Sequence, residues 1–465
     1  MSLNVRTKLV VQKMRDANLS EALQNTFLRA IELTQGGDAG LIPEAQIDPV
    51  QSLPNINELE DSSSTGVAAL PKTVVLKLNG GLGTSMGLAQ AKSLLPVRDG
   101  LCFLDVIAQQ VIHLRRQHRS DLPLIFMNSF RTEADTLAKL EEILGLAEGQ
   151  ANLPFSFLQH KVPKLRAADF SPVDHENDSD LEWCPPGHGD IYLALDQSGI
   201  LNQLLTAGYE YAFVSNADNL GASLDVDLLG YFAANDIPFL MEVADRTNAD
   251  KKGGHVAQYA DSAQLLLREV AQTPPDDLPE FQNIERHKFF NTNSIWLNLR
   301  ALKTVLKQNS GVIPLPIIIN RKTVDPADKS SEPVIQIESA MGAAIEVFAG
   351  SQAIRVSRNR FRPVKKTNDL LILMSDLFDM DTRCQIIQSN ESPLPDIQLD
   401  EQFFSNIDDY LARIPFGPPS LKACSSLTVN GDVYFGKHVQ IIGDVTINAP
   451  DSGVLKIDDN TVLSG

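Results

Sequence analysis

The residues most suited to chemistry lie in a glycine-rich turn that is followed by a lysine. The turn covers residues 79–87 and comes directly after the apolar, β-branched segment 74–78, which predicts a buried strand. Glycines let backbone N–H groups approach an anion without a Cβ in the way. Lys92 adds a positive charge shortly after the last of these glycines. We interpret this segment as a loop that binds nucleotide phosphates.

The spacing excludes two common phosphate-binding patterns. A P-loop requires a lysine immediately after its last glycine, and a dinucleotide-binding loop requires a third glycine where this sequence has Met86. Because a glycine-rich turn alone is weak evidence, a tight turn beside a surface lysine stays open as the alternative.

Polar residues also follow several predicted strands at the point where each strand ends. They are Asn79, Asn128, Gln159, Asn216 and Asp218. The ligand of an open α/β sheet lies beyond the carboxyl ends of its strands, so we expect these side chains to share one site. Packing alone does not account for polar groups that collect at one end of several strands.

Several sequence motifs occur in an order that is typical of one enzyme family. They are residues 78–87 with 92–94, 185–190, 214–221, 290–293 and 360–365. Together they resemble the eukaryotic-type UTP–glucose-1-phosphate uridylyltransferases, or UDP-glucose pyrophosphorylases, over roughly residues 70–450. The resemblance implies an α/β fold with a Rossmann-like, GT-A-like nucleotidyltransferase core. It also implies transfer of uridylyl from UTP to α-D-glucose 1-phosphate, which gives UDP-glucose and pyrophosphate.

The resemblance assigns nucleotide contacts mainly to the predicted strand ends. The assigned residues are Leu78, Asn79, Gly80, Gly81, Gln159, Gly187, Asn216, Ala217 and Asp218. Gln159 is placed like the family residue that reads uracil, and an amide offers the donor and the acceptor that the uracil N3–H and O4 edge requires. A solvated strand end is the alternative for Gln159, because the following His160-Lys161 departs from the Ser-Arg that is more frequent in the family.

The resemblance also makes Asp218 the ligand of Mg²⁺, the expected cofactor. A hard divalent cation takes carboxylate and phosphate oxygens, and Mg²⁺ commonly uses one or two carboxylates together with substrate phosphates. The alternative is that Asp218 is a plain helix N-cap. Lys92 and Lys365 are implied to be catalytic, since each would face the reacting phosphates, whereas Lys366 is interpreted as solvated.

Sugar-phosphate contacts fall on a second group of residues. They are His188, Lys252, Asn291, Asn293 and Glu338. His188 would donate to the sugar phosphate from a frame of two prolines and two glycines, with a structural histidine as the alternative. Lys252 is the weaker cationic candidate. The family often has a further lysine near Ala89, so any contact made by that lysine is lost here or supplied elsewhere.

Uridylyl transfer needs no nucleophilic side chain. A sugar phosphate oxygen attacks the α-phosphorus of UTP in line with the departing pyrophosphate, so the enzyme mainly aligns and neutralises two polyanions. The sequence shows no Ser-His-Asp or Cys-His arrangement that indicates covalent catalysis. Two rival hypotheses stay open. One is a UDP-N-acetylhexosamine pyrophosphorylase, whose loop typically carries a Gln and an Arg that this chain lacks; the other is a catalytically idle homologue that acts through its β-helix.

Charge and composition argue against several partners. The net charge of −19 disfavours nucleic acid and anionic membrane, and it requires basic residues to gather locally around a polyanionic ligand. No apolar run approaches the length of a membrane span, and the N-terminus lacks the apolar region of a signal peptide. The four cysteines are scattered, which fits a reducing cytoplasm and argues against a zinc site. We expect a cytoplasmic protein with small-molecule partners.

Three segments are expected along the chain. They are residues 1–66, a helical N-terminal region and linker; 67–380, the catalytic core; and 381–465, a C-terminal β-helix domain. Residues 3–36 have helical periodicity with Asn18 as an N-cap, and the proline-bearing residues 38–65 are predicted to be irregular. Strands and helices then alternate, which predicts a parallel sheet between helices. A strand and a helix are expected over residues 334–348.

The end of the chain has a different pattern. From Leu427 onward, short β-branched runs separated by Gly-Asp or Gly-Lys turns recur about every six residues, which indicates the coils of a β-helix. The resemblance implies that this β-helix is left-handed and serves self-association into homo-oligomers. The resemblance implies a longer tail after Leu463, so the family's oligomeric states do not transfer directly.

Overall fold

The computed structural model describes residues 3–36, 40–83, 86–88, 90–176, 178–326, 328–389, 393–450 and 452–465. Thr84, Ser85 and Ala89 of the predicted phosphate loop lie outside these described residues. The α-helices are α1 (Leu3–Asp16), α2 (Glu21–Gln35), α3 (Ser63–Ala69), α4 (Phe103–His118), α5 (Glu133–Glu141), α6 (Ile191–Gln197), α7 (Ile200–Thr206), α8 (Val226–Ala234), α9 (Leu278–Phe281), α10 (Leu299–Gln308), α11 (Thr367–Met374), α12 (Glu401–Phe404) and α13 (Ile407–Arg413). None of the helices in the described ranges is both long enough and apolar enough to cross a membrane.

The strands begin before the phosphate loop and continue to the end of the chain. They are β1 (Ile47–Pro49), β2 (Thr73–Asn79), β3 (Pro96–Arg98), β4 (Leu101–Cys102), β5 (Leu124–Asn128), β6 (Ser156–Leu158), β7 (Val162–Pro163), β8 (Leu165–Arg166), β9 (Trp183–Cys184), β10 (Tyr211–Asn216), β11 (Phe239–Asp245), β12 (His255–Tyr259), β13 (Leu265–Arg268), β14 (Phe289–Asn298), β15 (Ile318–Thr323), β16 (Pro333–Glu338), β17 (Gln352–Arg355), β18 (Phe378–Met380), β19 (Ile386–Gln388), β20 (Asp396–Leu399), β21 (Ser420–Asn430), β22 (Val433–Phe435), β23 (Gln440–Asn448), β24 (Leu455–Ile457) and β25 (Val462–Ser464).

A ten-stranded mixed sheet forms the centre of the fold. Its main path runs β1-β12-β14-β10-β2-β5-β6, while β11 pairs with β14 and β17, and β13 pairs with β12. Strands β10, β2, β5 and β6 are parallel, but β14 is antiparallel to β10, β11 and β12. The prediction of a parallel sheet is therefore wrong for the β14 half. The chain between β11 and β14 forms the β12–β13 hairpin instead of the long helical crossover that a parallel pair requires.

Strand β2 shows how the sequence dictates a sheet covered on both faces. Val75 belongs to the apolar core that contains α4, whereas Val74 and Leu76 belong to the core that contains α6 and α7. Phe213 and Val214 of β10 divide between the two cores in the same way. Because side chains of a strand alternate between faces, a run that is apolar at every position fits burial on both sides. The two cores fix the strand ends from which the site is built.

The N-terminal helices have a different cap from the predicted one. Ser20 caps α2 by accepting a hydrogen bond from the N–H of Leu23, whereas Asn18 lies in the preceding turn with a left-handed φ of 55°. The prediction of Asn18 as the cap is wrong because Ser20 directly precedes the first helical turn and reaches its free N–H. Phe27 and Ile31 of α2 pack in an apolar cluster with residues of β7, β8 and β16.

The prediction of an irregular linker over residues 38–65 is wrong for two segments. β1 pairs with β12 at an edge of the main sheet, and α3 begins within this region at Ser63. Glu44 anchors the segment, because it accepts hydrogen bonds from Arg268, Arg286 and His287 at 2.5, 2.7 and 3.0 Å. A three-residue strand carries too little periodicity to be found from sequence, and its position depends on these distant partners.

The region 334–348 contains the predicted strand but no α-helix. After β16, the 3₁₀ helix Met341–Glu346 takes the place of the expected helix. A Cβ on Gly342 would lie 2.8 Å from the side chain of Leu267 and 3.2 Å from Nδ2 of Asn291. This close approach brings the short helix against β13 and β14, next to predicted site residues.

The C-terminal strands stack in parallel. β20, β21, β23 and β25 form one sheet, and β22 pairs with β24 in a second. Leu427 lies opposite Val445 in the first sheet, and Val433 lies opposite Leu455 in the second. The inward apolar side chains of both sheets continue the core that contains α4. The end of the chain is thus joined to the central sheet by a shared interior.

Candidate active site

The carboxyl ends of the four parallel strands β10, β2, β5 and β6 lie side by side, so their polar residues are brought close together. Asn216 of β10 lies opposite Leu78 of β2, and Asn79 lies opposite Asn128 of β5. Gln159 follows β6 and donates its backbone N–H to the carbonyl of Asn128 at 2.7 Å. The side chain of Asn79 donates to Oδ1 of Asn128 at 2.8 Å, so it fixes the start of the glycine-rich loop.

The first glycines of the loop lie close to the side chain of Gln159. A Cβ on Gly80 would lie 2.7 Å from Oε1 of Gln159, whereas a Cβ on the exposed Gly81 would meet nothing within 4 Å. The carbonyl of Gly81 accepts a hydrogen bond from the N–H of Lys92 at 3.2 Å. This bond folds the chain back so that Lys92 returns to the start of the loop.

Lys92 and Asp218 form an ion pair at this edge. The Nζ of Lys92 lies 2.7 Å from Oδ2 of Asp218, and both side chains are mostly buried. Oδ1 of Asp218 is buried and has no hydrogen-bond partner among the described residues. The N-cap alternative for Asp218 is wrong, because the next helix, α8, is capped by Asp225. Ala217, just before it, donates its N–H to the carbonyl of Leu78 at 2.9 Å, which joins this turn to β2.

The unpartnered oxygen of Asp218 suits a cation. A buried carboxylate oxygen is costly unless a donor or a cation compensates its charge. No group of three or more His, Cys, Asp or Glu side chains that could hold a metal occurs in the described ranges. Mg²⁺ commonly takes only one or two carboxylates and fills its remaining positions with substrate phosphates and water.

Lys365 lies beside the Asp218 turn. The N–H of Val364 donates to the carbonyl of Asp218 at 3.1 Å, which aligns the residues before Lys365 with that turn. Sequence reasoning missed Glu269, whose burial raises its pKa to about 7 while the nearby charge of Lys365 opposes that rise. Lys366 is exposed to solvent, as predicted, and its Nζ pairs with Oε1 of the exposed Glu401 at 2.6 Å.

Gln159 and Gly187, two of the residues expected to contact the nucleotide, are neighbours. Nε2 of Gln159 donates to the carbonyl of Gly187 at 2.8 Å. Gly187 has a left-handed φ of 82°, and a Cβ there would lie 2.4 Å from the carbonyl oxygen of Ser339. Only glycine fits this position, which explains a glycine directly before His188.

Sequence reasoning also missed a mostly buried pair, His160 and Asp190, directly after Gln159 in the chain. Oδ1 of Asp190 lies 2.8 Å from Nδ1 of His160, and Oδ2 accepts the backbone N–H of His160 at 2.7 Å. Burial alone would lower the pKa of His160, but the carboxylate of Asp190 overcomes that effect and raises it. The available signal was Asp190 itself, which closes the phrase 185–190.

His188 is held as a neutral ring. Its Nδ1 lies 3.0 Å from the backbone N–H of Met341, which can only donate, so Nδ1 accepts and the ring proton is on Nε2. Burial lowers the pKa of His188 to about 4, which agrees with this assignment. The ring therefore offers an N–H donor from Nε2.

Asn291 and Asn293 occupy a bulge in β14. The register between β11 and β14 shifts here, and Asn293 has a left-handed φ of 56°. Nδ2 of Asn291 donates to Oδ1 of Asn293 at 3.0 Å. The structure brings Glu338 next to Gly187, since a Cβ on Gly187 would lie 3.0 Å from that of Glu338. Lys252 lies in an exposed turn, and no hydrogen bond or ion pair within the described ranges joins it to the other candidates.

Comparisons with known proteins bear on the family to which this chain belongs. A family model described as UTP–glucose-1-phosphate uridylyltransferase matches residues 25–442. The enzyme of that name from Solanum tuberosum is 38% identical over 457 residues, which cover 96% of this chain and 92% of that protein. UTP–glucose-1-phosphate uridylyltransferase 2 of Dictyostelium discoideum is 39% identical over 423 residues, which cover 89% of this chain and 80% of that protein.

Solved structures show the same similarity across the whole fold. A mutant UDP-glucose pyrophosphorylase from Leishmania major in complex with UDP-glucose is 40% identical, with a TM-score of 0.91 over 100% of this chain and 99% of that one. A UDP-glucose phosphorylase from Trypanosoma brucei is 43% identical, with a TM-score of 0.88 over 99% of each chain. The family prediction from the sequence is confirmed: this chain belongs to the UTP–glucose-1-phosphate uridylyltransferase family.

Proposed function

We propose that this chain transfers the uridylyl group of UTP to α-D-glucose 1-phosphate. A phosphate oxygen of the sugar phosphate bonds to the α-phosphorus of UTP, the bond to the departing pyrophosphate breaks, and the products are UDP-glucose and pyrophosphate. The observation that carries the proposal is the Lys92–Asp218 ion pair, which stands with a buried, unpartnered carboxylate oxygen beside a glycine-rich loop. Family membership supports the same reaction.

Asp218 would hold Mg²⁺. When bound, the ion would neutralise phosphate charge and orient the α-phosphate for attack. The unpartnered Oδ1 of Asp218 supports this assignment. Oδ2 is already paired with Lys92, so we propose that the lysine exchanges this partner for a substrate phosphate when UTP binds.

In this proposal, Lys92 and Lys365 are the side chains of the protein that neutralise most of the negative charge of the phosphates. Lys92 faces the departing phosphates from the end of the glycine-rich loop. Lys365 faces the reacting phosphates from the segment that is hydrogen-bonded to the Asp218 turn. Preorganised charges that point at developing negative charge stabilise a transition state without reorganisation. Positive charges are needed at the site because the chain as a whole carries a net charge of −19 and would otherwise repel the polyanionic substrates.

Backbone groups, amides and a neutral imidazole, together with the carboxylate of Glu338, select and position the two substrates. The backbone of residues 78–81 surrounds the nucleotide, Asn216 and Ala217 contact it from β10, and Gln159 with Gly187 reads the uracil edge. His188 donates from Nε2 to the sugar phosphate, while Asn291, Asn293 and Glu338 contact the glucose hydroxyls. Asn291 and Asn293 already hydrogen-bond each other, which fixes their amide groups for this task.

We further propose that residues 381–465 form a left-handed β-helix domain that supports self-association. The parallel sheets β20-β21-β23-β25, with four strands, and β22-β24, with two, support the proposal of successive coils. Residues 1–66 would then be the helical N-terminal region and 67–380 the nucleotidyltransferase core. A cytoplasmic location fits the four unpaired cysteines, and sedimentation of the purified chain over a range of concentrations tests self-association.

The function is tested by pyrophosphate release with purified protein, Mg²⁺ and a panel of substrates. We expect UTP with glucose 1-phosphate to be far preferred over UTP with N-acetylglucosamine 1-phosphate, and over CTP or ATP with glucose 1-phosphate. Comparable rates with both sugars would favour the N-acetylhexosamine enzyme. No release with any pair would indicate the catalytically idle homologue.

A further inference from the structure

The turn that carries Asp218 is hydrogen-bonded to the segment that carries Lys365. Asn219 and Pro363 form an isolated antiparallel bridge, and the N–H of Val364 donates to the carbonyl of Asp218 at 3.1 Å. The two segments are 145 residues apart in the sequence, by the difference between 363 and 218. Their mutual position therefore depends on these contacts and not on chain connectivity.

The side chain of Asn219 completes this junction. Its Nδ2 donates to the carbonyl of Arg360 at 3.1 Å, and its Oδ1 accepts the backbone N–H of Arg362 at 2.8 Å. The residue is only 2% exposed, so both bonds are shielded from water. One amide thus satisfies a buried carbonyl and a buried N–H of the Lys365 segment, which would otherwise be costly to bury.

The segment is also anchored to the sheet on its other side. The guanidinium of Arg360 donates to both carboxylate oxygens of the fully buried Glu242 at 2.7 Å and to the carbonyl of Ser223 at 2.9 Å. Gly221 permits the close approach, because a Cβ there would lie 2.4 Å from the carbonyl of Asn359. The backbone before Lys365 is therefore held between the sheet and the Asp218 turn.

We propose that Asn219 is a positioning residue that sets the distance between Asp218 and Lys365. It acts through the backbone, by holding the turn that carries Asp218 and the segment that carries Lys365 in a fixed mutual position. A displacement of about 1 Å in a catalytic arrangement can cost on the order of 10²-fold in rate. The catalytic role of Asn219 rests on the proposed uridylyl transfer. The hydrogen bonds by which it joins the two segments do not depend on that function.

The test is a double-mutant cycle with Asn219→Ala and Lys365→Ala. We expect Asn219→Ala to lower kcat about 10- to 100-fold with a smaller change in KM for glucose 1-phosphate. In the Lys365→Ala background the same change should cost less than about threefold, because the lysine it positions is already gone. Asn309→Ala removes a comparable side-chain bond, from Nδ2 to the carbonyl of Val305, at an exposed helix end, and should leave kcat unchanged.

Amide hydrogen exchange supplies a readout that does not require activity. Asn219→Ala should increase exchange in peptides that cover residues 360–366, whereas Asn309→Ala should not. Asn219→Ser, which keeps a polar group but is too short to bridge both partners, gives the same comparison if the alanine variant folds poorly. An equal loss of kcat in both backgrounds would overturn the proposal, as would unchanged exchange over 360–366. An inactive wild type with the expected exchange pattern would reject the proposed function alone.

Discussion

The two halves of the candidate site differ in how they handle charge. The phosphate side, defined by Lys92, Asp218 and Lys365, is built from ionised groups at the ends of parallel strands and in the segment docked against them. The sugar side, defined by His188, Asn291, Asn293 and Glu338, relies on a neutral imidazole and paired amides, with a single carboxylate at its edge. This division matches the substrates, since charge changes at the phosphates during the reaction while the glucose ring stays neutral. We therefore expect the phosphate side to govern rate and the sugar side to govern selection.

The largest effect is expected from Asp218→Asn. The change preserves shape but removes the negative charge that a metal ligand requires. We expect kcat to fall about 10³-fold or more, and the Mg²⁺ concentration for half-maximal activity to rise strongly. A Mg²⁺ titration of wild type and variant measures both quantities.

Asp225→Asn is the matched control for this prediction. Asp225 caps α8 by accepting hydrogen bonds from the N–H groups of Asp227 and Leu228. Asn caps a helix about as well as Asp, so this variant should keep near-wild-type turnover. Overlapping Mg²⁺ curves for wild type and Asp218→Asn would remove the metal assignment.

The next largest effect is expected from Lys92→Ala and Lys365→Ala. Loss of one well-placed electrostatic contact to a transition state commonly costs on the order of 10²–10³ in kcat. The melting temperature should change little in Lys365→Ala. It should fall in Lys92→Ala, because that change also leaves the mostly buried carboxylate of Asp218 without its partner. Lys72→Ala is the control, since it breaks the exposed Lys72–Glu210 pair at the opposite end of β2. Near-wild-type kcat in either site variant would show that its lysine is a surface charge.

The phosphate side was also the easier half to predict from sequence. The glycine-rich loop and the turn around Asp218 are continuous sequence motifs, and each follows an apolar strand. Because the two strands are parallel, their carboxyl ends bring both motifs to the same side of the sheet. The sugar side depends on the antiparallel β14, the bulge at Asn293 and the 3₁₀ helix that donates to His188, none of which has a local sequence signal. Glu269 and the His160–Asp190 pair were missed for the same reason, because their roles arise from contacts between distant segments.

Gln159→Ala sharpens the assignment of base selection. The amide is fixed by its bond to Gly187, so its loss removes a preorganised polar contact to uracil. One hydrogen bond is worth about 0.5–1.5 kcal/mol net, which predicts a loss of roughly two- to twelvefold in the preference for UTP over CTP. The ratio of kcat/KM for the two nucleotides measures this effect. An unchanged ratio would show that Gln159 is only a solvated strand end.

His188→Gln tests whether the sugar side is neutral. Burial holds the pKa of His188 at about 4, below the usual unfolded value of about 6.5. Between these values the unfolded chain binds a proton that the folded chain does not, so this residue destabilises the fold as the pH falls from about 6.5 to 4. One such proton gives a slope of about 1.4 kcal/mol per pH unit in the free energy of unfolding. Urea unfolding across this range should therefore show a shallower slope for His188→Gln than for wild type, and parallel curves would contradict the neutral ring.

Lys252→Ala is expected to have the smallest effect, although the family resemblance includes Lys252 among the sugar-phosphate contacts. Its side chain is exposed, and the turn that carries it is fixed through backbone carbonyls, since Arg246 donates to those of Asp250 and Lys251. Because Lys252 is exposed and no hydrogen bond or ion pair in the described ranges joins it to the other candidates, kcat/KM for glucose 1-phosphate should stay within about twofold of wild type. The free energy of unfolding should change by about 0.5 kcal/mol or less, as is usual for surface substitutions. Lys251→Ala, at the adjacent exposed lysine, is the matched control. A loss of more than tenfold in Lys252→Ala alone would contradict this prediction. It would mean that the turn closes onto the sugar phosphate and that the sugar side includes the positive charge of Lys252.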